Sequence, residues 1–119
     1  MTFLCVDDSA TVRKIIGMAL SEAGHGAVEA ENGKVALEKL AASAPDCIIL
    51  DINMPVMGGI DFLREKAKLS SAASIPVIVL TTQDEEALRT EAMGLGANGF
   101  LAKPFDKTAL LSAISRILG

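Results

Sequence analysis

The chain has 119 residues, half of them apolar, which is the length of one domain and supplies a single packed core with no second domain. With four Phe and neither Trp nor Tyr, that core is expected to be aliphatic, and the surface has little with which to stack nucleic-acid bases. The net charge of -4 and the lack of any basic run argue against nucleic acid as a partner, no apolar stretch approaches the roughly 20 residues that cross a bilayer, and the start "MTFLCVDD" has no secretory character, so a cytoplasmic protein with no membrane contact is expected.

In chain order, Phe3 to Val6 is a short apolar run without alternation, as expected of a strand covered on both faces. Val12, Ile15, Ile16, Ala19, Leu20 and Ala23 then follow a helical stripe, with Ser9 placed to cap its start and Gly24 to end it. Ala27 to Ala30 is a weaker run, suited to a sheet edge. Asn32 can cap a second helix with the stripe Ala36, Leu37, Leu40 and Ala41, and Pro45 prevents its continuation. Cys47 to Leu50 is a second buried run. A third helix starts near Gly59 and is expected to bury Ile60, Leu63 and Ala67.

Val77 to Leu80 is a third buried run. A fourth helix opens on Asp84, Glu85 and Glu86, acids placed where the helix macrodipole favours them, and ends in the "GLGANG" turn after a thin stripe of Leu88, Ala92 and Leu95. Phe100 to Ala102 is another weak strand. Asp106 caps a fifth helix with the stripe Leu110, Ala113, Ile114, Ile117 and Leu118. Strand and helix thus alternate five times, which predicts an α/β fold with one parallel sheet and helices on both faces. Cys5 and Cys47 sit inside apolar runs and read as reduced thiols filling the core.

In a parallel sheet every strand delivers its C-terminal end to the same edge, where ligands bind. Asp7 and Asp8 follow the first strand, Asp51 ends the third, Thr81 follows the fourth and Lys103 follows the fifth, so all five are expected on one rim. Singly, such acids often do no more than cap a turn. Together they form a set of carboxylates, a hydroxyl and an amine. Crowded carboxylates repel, so at least one pKa is expected to rise unless a cation sits among them, and acids without His or Cys nearby suit a hard ion such as Mg²⁺. His25, in "AGHG", reads as a solvent-exposed turn residue. Glu65, Lys66 and Lys68 read as a solvated helix face, as do Glu85 and Glu86.

The stretches "VDDSATVRKII", "LDINMPVMGGIDFL", "VIVLTT" and "GANGFLAKPF" resemble the receiver domains of two-component response regulators, in order and over essentially the whole chain. Because the chain ends at Gly119 after the fifth helix, it resembles a stand-alone receiver of the chemotaxis (CheY-like) type. The resemblance implies a flavodoxin-like sheet of order 2-1-3-4-5 flanked by five helices. It also implies that Asp51 accepts a phosphoryl group from a histidine kinase. Mg²⁺ is then held by Asp8, by Asp51, by the backbone carbonyl of Asn53, and by Asp7 through water. Lys103 and Thr81 contact the phosphoryl oxygens, the Lys103 to Pro104 peptide is cis, and Thr81 and Phe100 switch the face made by helix four, strand five and helix five toward a protein target.

A flagellar motor switch is one such target and a phosphatase a further partner; a phosphorelay shuttle, a phosphate sink and a cell-cycle regulator are alternative outputs, and a monomer is the default. Three positions depart from common relatives: Phe100 replaces a frequent Tyr, Thr82 a frequent Ala or Gly, and Gln83 is neutral where some carry an acid. Met54 and Met57, flanking Pro55, shape the loop after the third strand, which Gly58 and Gly59 let turn into helix three. The alternative class is a Mg²⁺-dependent phosphohydrolase of the haloacid dehalogenase type. That family carries its nucleophile in an Asp-x-Asp pair on the first strand, whereas here the third strand runs into Asp51, Ile52 and Asn53.

Overall fold

Apolar runs and helical stripes alternate along the chain as β1 (Thr2–Val6), α1 (Ala10–Glu22), β2 (Gly26–Ala30), α2 (Gly33–Ala42), β3 (Cys47–Asp51), α3 (Gly59–Ala67), β4 (Val77–Thr81), α4 (Glu86–Gly94), β5 (Gly99–Ala102) and α5 (Lys107–Leu118). The computed structural model describes residues 1–82 and 85–118; Gln83, Asp84 and Gly119 lie outside the described residues. The three expected caps form. Ser9 Oγ accepts from the Val12 N–H at 3.2 Å, Asn32 Oδ1 from that of Val35 at 2.9 Å, and Asp106 Oδ1 from that of Ala109 at 2.8 Å. Gly24, with φ +87°, ends α1 in the left-handed conformation that favours glycine.

The strands form one parallel sheet in the order β2-β1-β3-β4-β5, which is the flavodoxin-like arrangement the resemblance implied. The weak runs are the edges and the unbroken apolar runs the centre, because only central strands need apolar side chains on both faces. Alternate residues feed two cores. Leu4, Val6, Ile48, Leu50, Val77 and Val79 pack with Ala36, Leu40, Phe62 and Leu63 of α2 and α3 and Ala92 of α4. Phe3, Cys5, Cys47, Ile49, Ile78 and Leu80 pack with Ile16, Leu20, Leu110 and Ile114 of α1 and α5. Each buried Val, Leu, Ile or Phe side chain among them contributes about 1.5–3 kcal/mol. Both cysteines are free thiols in the second core, and burial foremost pushes Cys5 up to about 12 and Cys47 up to about 11.

Several helical stripes differ from expectation. On α3 the buried face is Gly59, Ile60, Phe62, Leu63 and Lys66, and Ala67 is exposed, because turning the helix to bury the large Phe62 ring removes more apolar area from water than Ala67 offers. Lys66, expected in solvent, is only 5% exposed: its stem is buried, and Nζ donates to the Ala73 carbonyl at 3.1 Å. Burial lowers its pKa. On α1, Ile15 is 49% exposed and Ala23 is exposed, because the helix seats Ile16, Ala19 and Leu20 on the sheet instead; Ala41 of α2 is likewise exposed. His25 is half-buried, with its ring edge-on to Phe3 at 5.2 Å.

Candidate functional site

Register explains why distant residues meet. Val6 pairs with Leu50, Asp51 with Leu80, and Thr81 with Ala102, so Asp7 follows beside Asp51 and Lys103 follows one step past Thr81. The Lys103 N–H donates to the Thr81 carbonyl at 2.7 Å, extending the β4 to β5 ladder to the site. Asp7, Asp8 and Asp51 each present a carboxylate oxygen within 4.8 Å of the others. Asp7 and Asp51 are buried, as is Thr81, while Asp8 is exposed.

Lys103 Nζ lies 3.0 Å from Asp7 Oδ2 and 3.1 Å from Asp51 Oδ1. Its approach to Asp7 is that of an ion pair rather than of a directed hydrogen bond, and Oδ2 is left without a hydrogen-bond partner among the described residues. Oδ1 of Asp7 accepts the Ser9 N–H at 2.9 Å. Burial raises the Asp51 pKa from 3.8 to about 6, helped by the Asp7 charge and opposed by Lys103 and by the Asn53 backbone N–H. For Lys103, burial disfavours the ammonium, but Asp7 and Asp51 more than offset it and its pKa is raised. Three carboxylates thus face one ammonium, leaving excess negative charge and an all-oxygen donor set. These features fit a hard divalent cation.

The loop from β3 to α3 holds Asp51 from behind. Gly59 N–H donates to the Ile52 carbonyl at 3.0 Å, Met57 N–H to that of Pro55 at 2.8 Å, and Gly33 N–H to that of Met57 at 2.9 Å. Val56, between Pro55 and Met57, is 80% exposed and adopts φ +69° despite its branched side chain. A Cβ on Gly59 would stand 2.7 Å from both the Asp51 carbonyl oxygen and Ile52 Cα, so backbone approach alone demands glycine here. Asn53 is exposed just beyond.

Phe100 lies half-buried in β5, on the far side of β4 from Asp51, and is not gathered into the carboxylate cluster. The Arg89 guanidinium of α4 sits 4.8 Å from its ring centroid, within cation–π range. The Lys103 to Pro104 peptide is cis. Sequence reasoning missed Arg13, which donates to the Asp7 carbonyl at 2.7 Å while pairing with Glu29 at 2.9 Å, and so fixes the turn that carries both aspartates. Its place one turn after the Ser9 cap was the available signal.

A family model described as "Response regulator receiver domain" matches residues 3–115. The chain belongs to that family. Receivers are the phosphorylated domains of two-component signalling, and this one carries the family's fold over its matched length. It is 39% identical over 121 residues to chemotaxis protein CheY1 of Helicobacter pylori, covering 100% of this chain and 98% of that protein. Chemotaxis protein CheY4 of Vibrio cholerae superposes with a TM-score of 0.92 at 35% identity, covering 98% of this chain and 97% of the other. The phosphate regulon transcriptional regulatory protein PhoB of Pseudomonas aeruginosa is 34% identical over 117 residues, and the chain spans only 51% of its length.

Proposed function

We propose that this receiver takes a phosphoryl group from a histidine kinase onto Asp51 and, so charged, presents its α4, β5 and α5 face to a protein target. The observation that carries the reading is the placement of Asp51. It closes the central strand β3, is buried beside Asp7 and pairs with Lys103 at 3.1 Å. A pKa of about 6 leaves it ionised at neutral pH, as a nucleophile must be. A carboxylate oxygen attacks the phosphorus of a phosphohistidine, the P–N bond breaks, and its electron pair leaves with the imidazole nitrogen.

Lys103 offers fixed positive charge and Thr81 a hydroxyl donor to the transferred oxygens, so the chain's part is positioning and electrostatics. Asp8, Asp51 and the Asn53 carbonyl would hold Mg²⁺ directly and Asp7 through water, and the ion supplies charge neutralisation for the incoming phosphoryl group. Capture of a phosphoryl oxygen by Thr81 draws the loop after β4 inward and lets Phe100 turn toward the core, away from Arg89. Likeness to CheY1 and CheY4 supports chemotaxis as the pathway, with a flagellar motor switch component as target and a phosphatase as a further partner.

The chain then catalyses only its own phosphorylation and dephosphorylation. Intact-mass analysis after incubation with acetyl phosphate and Mg²⁺ tests this. Wild type is expected to gain one phosphoryl group and Asp51→Ala none; labelling of Asp51→Ala moves the acceptor elsewhere, and steady turnover of unrelated phosphate esters favours a phosphohydrolase.

A further inference from the structure

Thr82 follows the last residue of β4 and stands with Lys103 on the wall of one groove of about 360 Å³, together with Val12, Ile15, Pro104 and Phe105. Its backbone N–H donates to Glu85 Oε1 at 2.7 Å, and its hydroxyl donates to the same oxygen at 3.1 Å. The Glu85 N–H returns a bond to the Thr82 carbonyl at 3.3 Å. Glu85 occupies the residue before α4, where a side chain ordinarily caps the helix. It makes no such cap; its carboxylate turns back over Thr82 instead.

Hydrogen bonds to an ionised acceptor are the strong ones, and here two converge on one oxygen. They also engage the first N–H and O–H beyond Thr81. Thr82 adjoins Thr81 and shares a groove wall with Lys103, so for a phosphoryl oxygen that those two residues attract, the next donors along the chain are two that an anion of like charge already holds.

Building on the assignment of Asp51 as phosphoacceptor, we propose that the Glu85 carboxylate is a built-in competitor of the acyl phosphate for the Thr82 donors. Glu85 is in these terms a positioning residue. It holds Thr82 in the unphosphorylated arrangement, and it must let go before the phosphorylated arrangement forms. This gives Thr82 a specific part. Alanine or glycine at that position retains the N–H but lacks the second donor that fastens the carboxylate.

The test is calorimetric binding of beryllofluoride, a phosphoryl mimic, in the presence of Mg²⁺, on wild type, Glu85→Gln and Glu85→Ala, with the Thr82 amide followed by NMR in the free proteins. Glu85→Ala is expected to bind on the order of fivefold more tightly than wild type, from loss of a charged hydrogen-bond acceptor. Glu85→Gln, which keeps a neutral acceptor oxygen, should fall between them. The Thr82 amide proton should shift in both variants, while affinity for Mg²⁺ alone should not change. A merely structural role predicts the opposite sign, a looser loop and weaker binding, so affinities at or below wild type in both variants overturn the proposal. Should Glu85→Ala fail to fold, Glu85→Gln decides. Wild type that binds no beryllofluoride overturns this proposal together with the Asp51 assignment, whereas wild-type binding with no gain in the variants overturns the competitor alone.

Discussion

Lys103 Nζ lies 3.1 Å from Asp51 Oδ1, across the end of β4, which separates their two strands in the sheet. Among the described residues, the ammonium is the one charged side chain that holds the Asp51 pKa down against burial and Asp7. Lys103→Met keeps most of the apolar stem and deletes the charge. The Asp51 carboxyl is then expected to titrate above its wild-type value of about 6, read from the side-chain carboxyl carbon by NMR. Phosphorylation from a small donor should slow on the order of 100-fold, the usual effect of removing one charge-stabilising donor. An unmoved titration would mean that the pair is not coupled.

The raised Asp51 pKa makes the metal-free protein sensitive to pH in a defined direction. The folded chain holds this proton more tightly than the unfolded one, so the associated stability is fully present below pH 3.8 and is lost as pH climbs through about 6. A rise of about two units is worth about 3 kcal/mol. With metal chelated, Asp51→Asn should exceed wild type in urea melts at pH 7.5 by about that amount, and the gap should close toward pH 4. An equal gap at both pH values contradicts the assignment of the shift to Asp51.

Asp8 supplies the exposed carboxylate of the cluster. Asp8→Asn reduces the crowding, so without metal it should melt no lower than wild type by circular dichroism. Adding Mg²⁺ to about 100 times its Kd should stabilise wild type by about 2.7 kcal/mol, and the variant much less. A metal-free Asp8→Asn clearly less stable than wild type would count against charge repulsion at this site.

The loop behind Asp51 offers a pair of substitutions with opposite signs. Val56→Gly relieves a left-handed residue of about 1–2 kcal/mol of strain but adds freedom to the unfolded chain worth about 0.4–1 kcal/mol, so a net gain of between about 0 and 1.6 kcal/mol is expected. Gly59→Ala places a Cβ against backbone atoms that cannot step aside, and a loss of about 1–3 kcal/mol is expected. Urea denaturation of both variants reads the two directions.

Much of this molecule was legible because buried parallel strands advertise themselves: Cys47 to Leu50 is apolar without alternation, and the abrupt acid at Asp51 then marks the rim. The same reasoning placed Asp7, Asp8, Thr81 and Lys103 with it. Strand order was not readable from the apolar pattern, which separates edge from centre but does not rank neighbours; it came from the resemblance. Lys66 was misread because a charged head says nothing about where a four-carbon stem lies, and the stripe through Phe62 carried the helix face past Ala67. Ile15 fits the periodicity of α1 yet faces the groove beside Phe105 rather than the sheet. Glu85 looked solvated because helical periodicity does not foresee a carboxylate that reaches back before the helix to Thr82.

The same ammonium that meets Asp51 also stands 3.0 Å from Asp7, at the end of β1, so one side chain rooted beyond the outermost strand β5 reaches past β4 and β3. It works as a guy-rope strung from the margin of the sheet to its middle. On the chemistry proposed above, an anion on Asp51 would pull on that rope at a point two strands away from where it is anchored, next to the ribbon that holds Phe100. The centre of the sheet, where that chemistry would occur, is thus tied by a single side chain to its border.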